Sequence, residues 1–379
     1  MNEFYNAAGQ HSSRTRRIVL FCGAFSSTFC KVSVITNKDQ TGRARSAPST
    51  NMPTKLLQTI VAVALAGLLI QNGCSRGEPS SANQNANKPP EHAYKFVVVC
   101  HATAVPFFVP VRKGAEEAGR LLGLDVAFTG PSDFNVARQI EFIKAAVAAR
   151  VDGIGTTMPN PEAFNDVVAE AAQNGIPVIA LNADAPGSKR LAYIGQGNYE
   201  AGRSMGKEIM TLLPAGGDVL ICSHTAGAFN LEERLRGVQE VLQQAGNFRV
   251  QVIATSTDMV KANSLISSYY QAHPETKGFF GVDDITGSAI AQVIEREGLK
   301  GKVFGGAFDL VPDVMNAIKA GTMQFTIDQQ PYLQGFNTVM QLYLLKKYQL
   351  APTDVNTGVA PITQANVEKV MKLAEQGYR

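Results

Sequence analysis

Gly153-Ile-Gly-Thr-Thr157, Asn160-Pro161 and Gly175-Ile-Pro-Val-Ile-Ala-Leu181 follow one another and spell out a strand, a helix and a second strand. The first segment and Val178–Leu181 are short continuous apolar runs, the pattern of strands buried on both faces. Asn160 is placed to cap a helix, with Pro161 in its first turn. Gly175-Ile-Pro177 stops that helix and launches the next strand. The unit repeats in both directions. Strands are predicted at Phe96–Cys100, Val126–Phe128, Gly153–Thr157, Val178–Leu181 and Ala192–Ile194. A second series follows at Val219–Cys222, Val250–Ala254, Phe279–Val282, Val303–Gly305 and Gln324–Ile327. Between them, Phe108, Val111, Ala115, Ala118 and Leu122 recur at helical steps, as do Val136, Ile140, Ile143 and Val147. Two consecutive series of five predict an α/β fold with two doubly wound lobes, each a mostly parallel sheet.

The chain ahead of this pattern has a different grammar. Met52-Pro-Thr-Lys55 precedes an apolar run from Leu56 to Ile70, then Gly73-Cys74. The run is about 15 residues long, short of the roughly 20 that span a bilayer. A basic start, a short apolar centre and a small residue before the cysteine are the order of an export signal. Gly73-Cys74 resembles a bacterial lipobox, which implies lipidation of Cys74. Gln71 and Asn72 depart from that motif, and a plain cleaved signal or an uncleaved anchor fits the same run. Residues 1–51 read as a mis-set leader, with an extended genuine leader as the alternative. The signal is assigned to 52–74. Residues 75–92 are rich in Ser, Asn, Gln and Pro and read as a disordered tether.

The formal charge depends on this division. The whole chain has 35 basic and 32 acidic residues. Residues 1–51 carry seven basic and two acidic ones, and the signal carries Lys55; without them 27 basic face 30 acidic, a net charge near −3. The basic balance therefore gives no argument for nucleic acid. Cys100 and Cys222 each end a predicted strand, where a buried free thiol is common. No ligand spacing for a zinc site occurs.

In parallel sheets, ligands bind beyond the carboxyl ends of the strands. Phe107 and Phe108 follow the first strand, and a ring there can stack on the C–H face of a sugar. Being adjacent, one can face in and one out. Arg234 offers a planar fork for vicinal hydroxyls or a carboxylate. Asp283, with Asp284 beside it, and Asp309 follow strands of the second series and can accept several hydrogen bonds from a neutral polyol; Asp283 is taken as the site residue of the adjacent pair. Asn182 and Gln329 supply donors and acceptors. Any single aspartate in such a place can equally be a helix cap. Catalytic signatures are weak: no GxGxxG follows the first strand, and no Walker loop, GxSxG or HExxH occurs. His101 and His224 both follow strands and are read as hydrogen-bonding residues. The expectation is therefore not an enzyme, with no catalytic residue, no metal and no cofactor.

Pro106-Phe-Phe108, Gly175-Ile-Pro-Val-Ile-Ala-Leu-Asn182, Tyr193-Ile-Gly-Gln-Gly-Asn198, Arg234-Leu-Arg-Gly237, Phe308-Asp309 and Asp328-Gln-Gln-Pro331 carry a family resemblance. The stretch from Lys95 to about Gln376 resembles the type I periplasmic sugar-binding proteins, the ribose-binding-like receptors of ABC transporters. The resemblance implies stacking by Phe107 and Phe108 and hydrogen bonds from Arg234, Asp283, Asp309 and Gln329, with Asn182 where ribose binders usually have Asp. Val105, Ala183 and Met259 depart from the ribose pattern, which argues for another sugar or a polyol. It also implies three chain crossings, near Gln196, Gln330 and Thr357. The lobes would then be 93–196 with 330–357, and 197–329 with 358–379. The reading is a monomeric, lipid-anchored receptor of the periplasm or cell envelope. It would bind a neutral sugar or polyol and deliver it to an ABC permease, with no nucleic-acid partner. A receptor serving a membrane sensor is the alternative, ahead of a LacI-type regulator or an enzyme.

Overall fold

The first sheet is built from β1 (Lys95–Val99), β2 (Asp125–Thr129), β3 (Gly153–Thr156), β4 (Val178–Leu181) and β5 (Ala192–Gly195), in the computed structural model describing residues 93–379. The leader, the apolar segment, Cys74 and the tether lie outside the described residues. The strands run parallel in the order β2-β1-β3-β4-β5. Helices α1 (Phe108–Leu122), α2 (Val136–Ala148) and α3 (Pro161–Gln173) connect them. Burial explains the continuous apolar runs: β3 and β4 are buried at every position, whereas the edge strand β2 is half-exposed. The stripe read for α1 is its buried face, with Phe108, Val111, Ala115 and Ala118 inside.

After β5 the chain passes to a second sheet. Its elements are α4 (Asn198–Leu212), β6 (Gly217–Ser223), α5 (Phe229–Ala245), β7 (Phe248–Ala254), α6 (Met259–Ala272), β8 (Gly278–Gly281), α7 (Asp284–Arg296), β9 (Phe304–Phe308), α8 (Pro312–Ala320) and β10 (Phe325–Asp328). The order β7-β6-β8-β9-β10 repeats that of the first sheet. The chain then returns through α9 (Pro331–Tyr348), which packs on α1, to β11 (Val355–Asn356), parallel to β5. It crosses once more to β12 (Ala360–Thr363), antiparallel to β10, and to α10 (Val367–Glu375). The chain therefore passes between the sheets three times. The two doubly wound lobes expected from the strand series are present, and all ten predicted strands overlap observed ones. Cys100 and Cys222 are buried free thiols.

Two local features position the cleft. α4 and α5 cross at mutual glycines: a Cβ on Gly202 would overlap the carbonyl of Arg234, and one on Gly237 the carbonyl of Tyr199. Backbone-to-backbone contact thus sets the depth of Arg234. Gly202→Ala is expected to lower stability by about 1–3 kcal/mol through overpacking and to weaken ligand binding with it, measured by melting and calorimetry on the folded fraction. Unchanged stability and binding would mean that the crossing does not set that depth. Second, the lobes meet where Phe229 N donates to Pro159 O at 2.9 Å.

Candidate functional site

The carboxyl ends of β1, β4, β6, β8, β9 and β10 surround one cavity of about 290 Å³, close to the lower end of small-molecule pockets. Phe107, Phe108, Asn182, Arg234, Asp283, Asp309 and Gln329 all lie on its wall. Cys74 falls outside the described residues.

The first lobe contributes an aromatic wall. The loop after β1 turns into α1 at Phe107, which occupies the N-cap position. Both Phe107 and Phe108 are buried and both join the apolar core of that lobe, so neither points away from it. Their rings meet edge to face at 5.2 Å. His101 continues the row, 5.0 Å from Phe108 and 5.2 Å from Phe134. The Nδ1 of His101 lies 2.9 Å from Thr157 Oγ1. Burial, then the proximity of His224, pushes the His101 pKa down to about 3. It is a neutral ring at ordinary pH and serves as wall and hydrogen-bonding group.

The second lobe contributes charge. Arg234, in the second turn of α5, is 1% exposed. Its Nε donates to Asn198 Oδ1 at 3.0 Å, Nη1 to Val282 O at 2.9 Å and Nη2 to Gln196 Oε1 at 3.2 Å. A guanidinium has five N–H groups, so each terminal nitrogen keeps one beyond these bonds. The face of the fork stacks on Phe308, 4.1 Å from the ring centroid. Burial pulls the Arg234 pKa down, and Asp309 opposes that pull.

Asp309 follows β9 with φ of 73°, and Asn182 follows β4 with φ of 61°. These are left-handed positions, which Asn and Asp tolerate better than most residues. Asp309 Oδ1 accepts from Gln329 Nε2 at 2.6 Å. Asn182 Nδ2 lies 3.4 Å from Gln329 Oε1, so one chain of amides joins both lobes. Burial raises the Asp309 pKa to about 7 against the pull of Arg234. Burial and the neighbouring Asp283 raise that of Asp284 to about 6.

Asp283 is largely committed to structure. It caps α7, accepting from Thr286 N at 2.7 Å, and its other oxygen accepts from His224 N at 2.9 Å. Asp284, also on the cavity wall, accepts from Ile285 N at 3.0 Å and offers the freer carboxylate. Among the described residues, His224, Asp283 and Asp284 place possible metal-ligating atoms within 4.8 Å of one another. The two carboxylates accept from backbone amides, and the His224 Nδ1 lies 2.6 Å from Thr225 Oγ1.

Sequence reasoning did not select Phe134, Asn230, Asp284, His101 or His224 as site residues, although all five line the cavity. His101, His224 and Asp284 sit just beyond strands and Phe134 in the loop after β2, so that position was the available signal, whereas Asn230 lies in the first turn of α5. Val105 and Met259, two of the departures from the ribose pattern, face the cavity as apolar groups.

Two lobes whose strand ends face one cavity have the architecture of a cleft receptor. The chain belongs to the family described as periplasmic binding protein domain, which matches residues 96–349. It is 34% identical over 297 residues to the xylose/arabinose-binding protein of Sulfolobus acidocaldarius, covering 74% of this chain and 73% of that protein. A solute-binding protein of an ABC transporter from Burkholderia graminis, solved with D-arabinose, superposes with a TM-score of 0.70 at 31% identity, covering 72% of this chain and 96% of its own. The glucose-galactose binding protein of Geobacillus stearothermophilus superposes with a TM-score of 0.69 at 28% identity, covering 73% and 99%.

Proposed function

We propose that this protein captures a neutral sugar or polyol in the cleft and delivers it to an ABC permease, without a chemical step. The observation that carries the reading is Arg234. A buried guanidinium with one N–H left on each terminal nitrogen faces a cavity whose opposite wall is aromatic. That pairing suits a flat ring with hydroxyls on its edge and C–H groups on its face. The names of the similar proteins put arabinose and xylose first among candidates. Apolar Val105 and Met259 on the cavity wall favour a less hydroxylated ligand.

A thermal-shift panel of pentoses, hexoses and polyols tests this. A ligand at 100 times its dissociation constant should add about 2.7 kcal/mol to stability. No shift with any sugar at millimolar concentration sinks the reading.

The protein would work as a monomer, held at the membrane through lipid on Cys74, with residues 75–92 as its tether. Gly73-Cys74 behind a short apolar run supports this. One acyl chain anchors only marginally, so several chains on the cysteine are needed. Intact mass of the membrane-extracted protein decides: a mature N-terminus other than an acylated Cys74 refutes it.

A further inference from the structure

Gln196 stands where the chain first leaves the first sheet, between β5 and α4, and is fully buried. Its Nε2 donates to Gly358 O at 3.0 Å, at the third passage between the lobes. The same nitrogen lies 3.5 Å from Asp328 O, at the second passage. Its Oε1 accepts from Arg234 Nη2 at 3.2 Å. One planar amide, itself on the first passage, therefore reaches the other two with one end and the guanidinium of Arg234 with the other. The orientation of the amide follows from its partners: two carbonyls require the NH2 end, and a guanidinium requires the oxygen.

The surroundings leave the amide little freedom. The backbone that carries it is held too: Tyr193 Oη lies 3.0 Å from the main-chain carbonyl oxygen of Gln196 and 2.8 Å from that of Asn182. Asn198, two residues along, accepts from Arg234 Nε. Arg234 is thus held on one side by the first passage and on the other by Val282 O. The lobes can rotate only about these three passages, so a change in their relative placement bears on the Gln196 bonds to Gly358 and Asp328 and on the oxygen that orients Arg234.

We propose that Gln196 is a positioning residue that couples the state of the hinge to the ligand-facing orientation of Arg234. This rests on the sugar-binding reading above and adds to it a route by which closing the lobes and gripping the ligand become one event. Interactions realised in only one of two states are what bias an equilibrium between them.

Calorimetry with arabinose and xylose, together with backbone amide exchange, tests the coupling. Gln196→Met keeps the length of the side chain and removes both sets of bonds. It is expected to weaken sugar binding about tenfold. In an Arg234→Lys background the same change is expected to cost less than threefold, because the group being positioned has gone. Equal losses in the two backgrounds overturn the proposal. A merely structural glutamine would lower the melting temperature without making the two losses interdependent. Gln196→Glu keeps an acceptor for Arg234 and loses the donor to Gly358. It is expected to bind within threefold of wild type, while amides of residues 356–360 exchange faster than in wild type. Failure of Glu to restore binding, or wild-type exchange there, also overturns it. If Gln196→Met does not fold, these two measurements on Gln196→Glu decide. A wild-type protein that binds no sugar sinks the sugar reading, and the exchange measurement still decides the hinge half. A wild-type protein that binds, with Gln196→Met binding equally well, sinks this inference alone.

Discussion

Replacing Arg234 with lysine is expected to weaken sugar binding by two to four orders of magnitude. The guanidinium has one N–H left on each terminal nitrogen after its bonds to Val282 and Gln196. Two charge-assisted bonds to ligand hydroxyls, at roughly 1.5–3 kcal/mol each, account for a loss of about 3–6 kcal/mol, and 1.4 kcal/mol is a factor of ten. Lysine keeps the charge near Asp309 but has a single nitrogen and no planar fork. It cannot reach Asn198, Val282, Gln196 and a ligand together. Arg234→Ala is the harsher change. It leaves the oxygens of Asn198, Val282 and Gln196 buried without their donor, at about 1–3 kcal/mol each. It is therefore expected to melt well below wild type, which makes lysine the cleaner probe. Calorimetry on the lysine variant is the check, with circular dichroism to verify folding. Binding within threefold of wild type would place the sugar elsewhere in the cavity.

What the sequence disclosed follows from which interactions are local. β3, β4 and β8 are buried throughout, so their residues are apolar or small in unbroken runs, and such runs can be read without knowing the neighbours. β11 and β12 escaped for the opposite reason. Val355–Asn356 is a two-residue edge pairing, and Ala360–Thr363 is half-exposed with a proline in it. Neither has an apolar run, and both are strands only because a partner, β5 or β10, is already in place.

The site divides in the same way. Positions beyond the strand ends, together with the family resemblance, singled out Phe107, Asn182, Arg234 and Asp309, and all four line the cavity. Position could not rank Asp283 against Asp284, because which of two adjacent aspartates caps α7 depends on the backbone of Thr286 and His224. Nor could it reach Gln196. The resemblance puts a chain crossing near Gln196, but the partners of its side chain are 38, 132 and 162 residues away in sequence, and no local pattern shows which groups that amide joins.

Asp309→Asn is expected to lose sugar affinity and gain stability at mildly alkaline pH. The carboxyl of Asp309 is buried, and burial lifts its pKa from 3.8 to about 7. A raised folded-state value means that the native state binds this proton more tightly than the unfolded chain does. The contribution of the group to stability is therefore full below about pH 4 and is lost as pH rises through 7. At 1.36 kcal/mol per pKa unit, the loss by pH 8 is on the order of a few kcal/mol. Asparagine resembles the protonated acid. It tolerates the φ of 73° and still accepts from Gln329, so it escapes that loss. The melting temperature of the unliganded wild type should fall between pH 5 and 8 more steeply than that of the variant, and the two curves should cross or converge toward low pH. Ligand reverses the sign. Hydroxyl donors bind an ionised carboxylate better than a neutral one, so wild-type affinity should rise with pH through 6 to 7, where Asp284 and Asp309 ionise, and protons should be released on binding. The variant should bind roughly 10- to 150-fold more weakly at pH 8, the equivalent of one charged hydrogen bond at about 1.5–3 kcal/mol, with a flatter pH profile. Calorimetry in two buffers of different ionisation enthalpy counts the protons, and melting curves across the pH range give the stability term. A wild-type affinity that is level from pH 5 to 8, or a variant whose melting temperature follows the wild-type slope, would show that Asp309 does not titrate in the cleft and that the ligand does not use its charge.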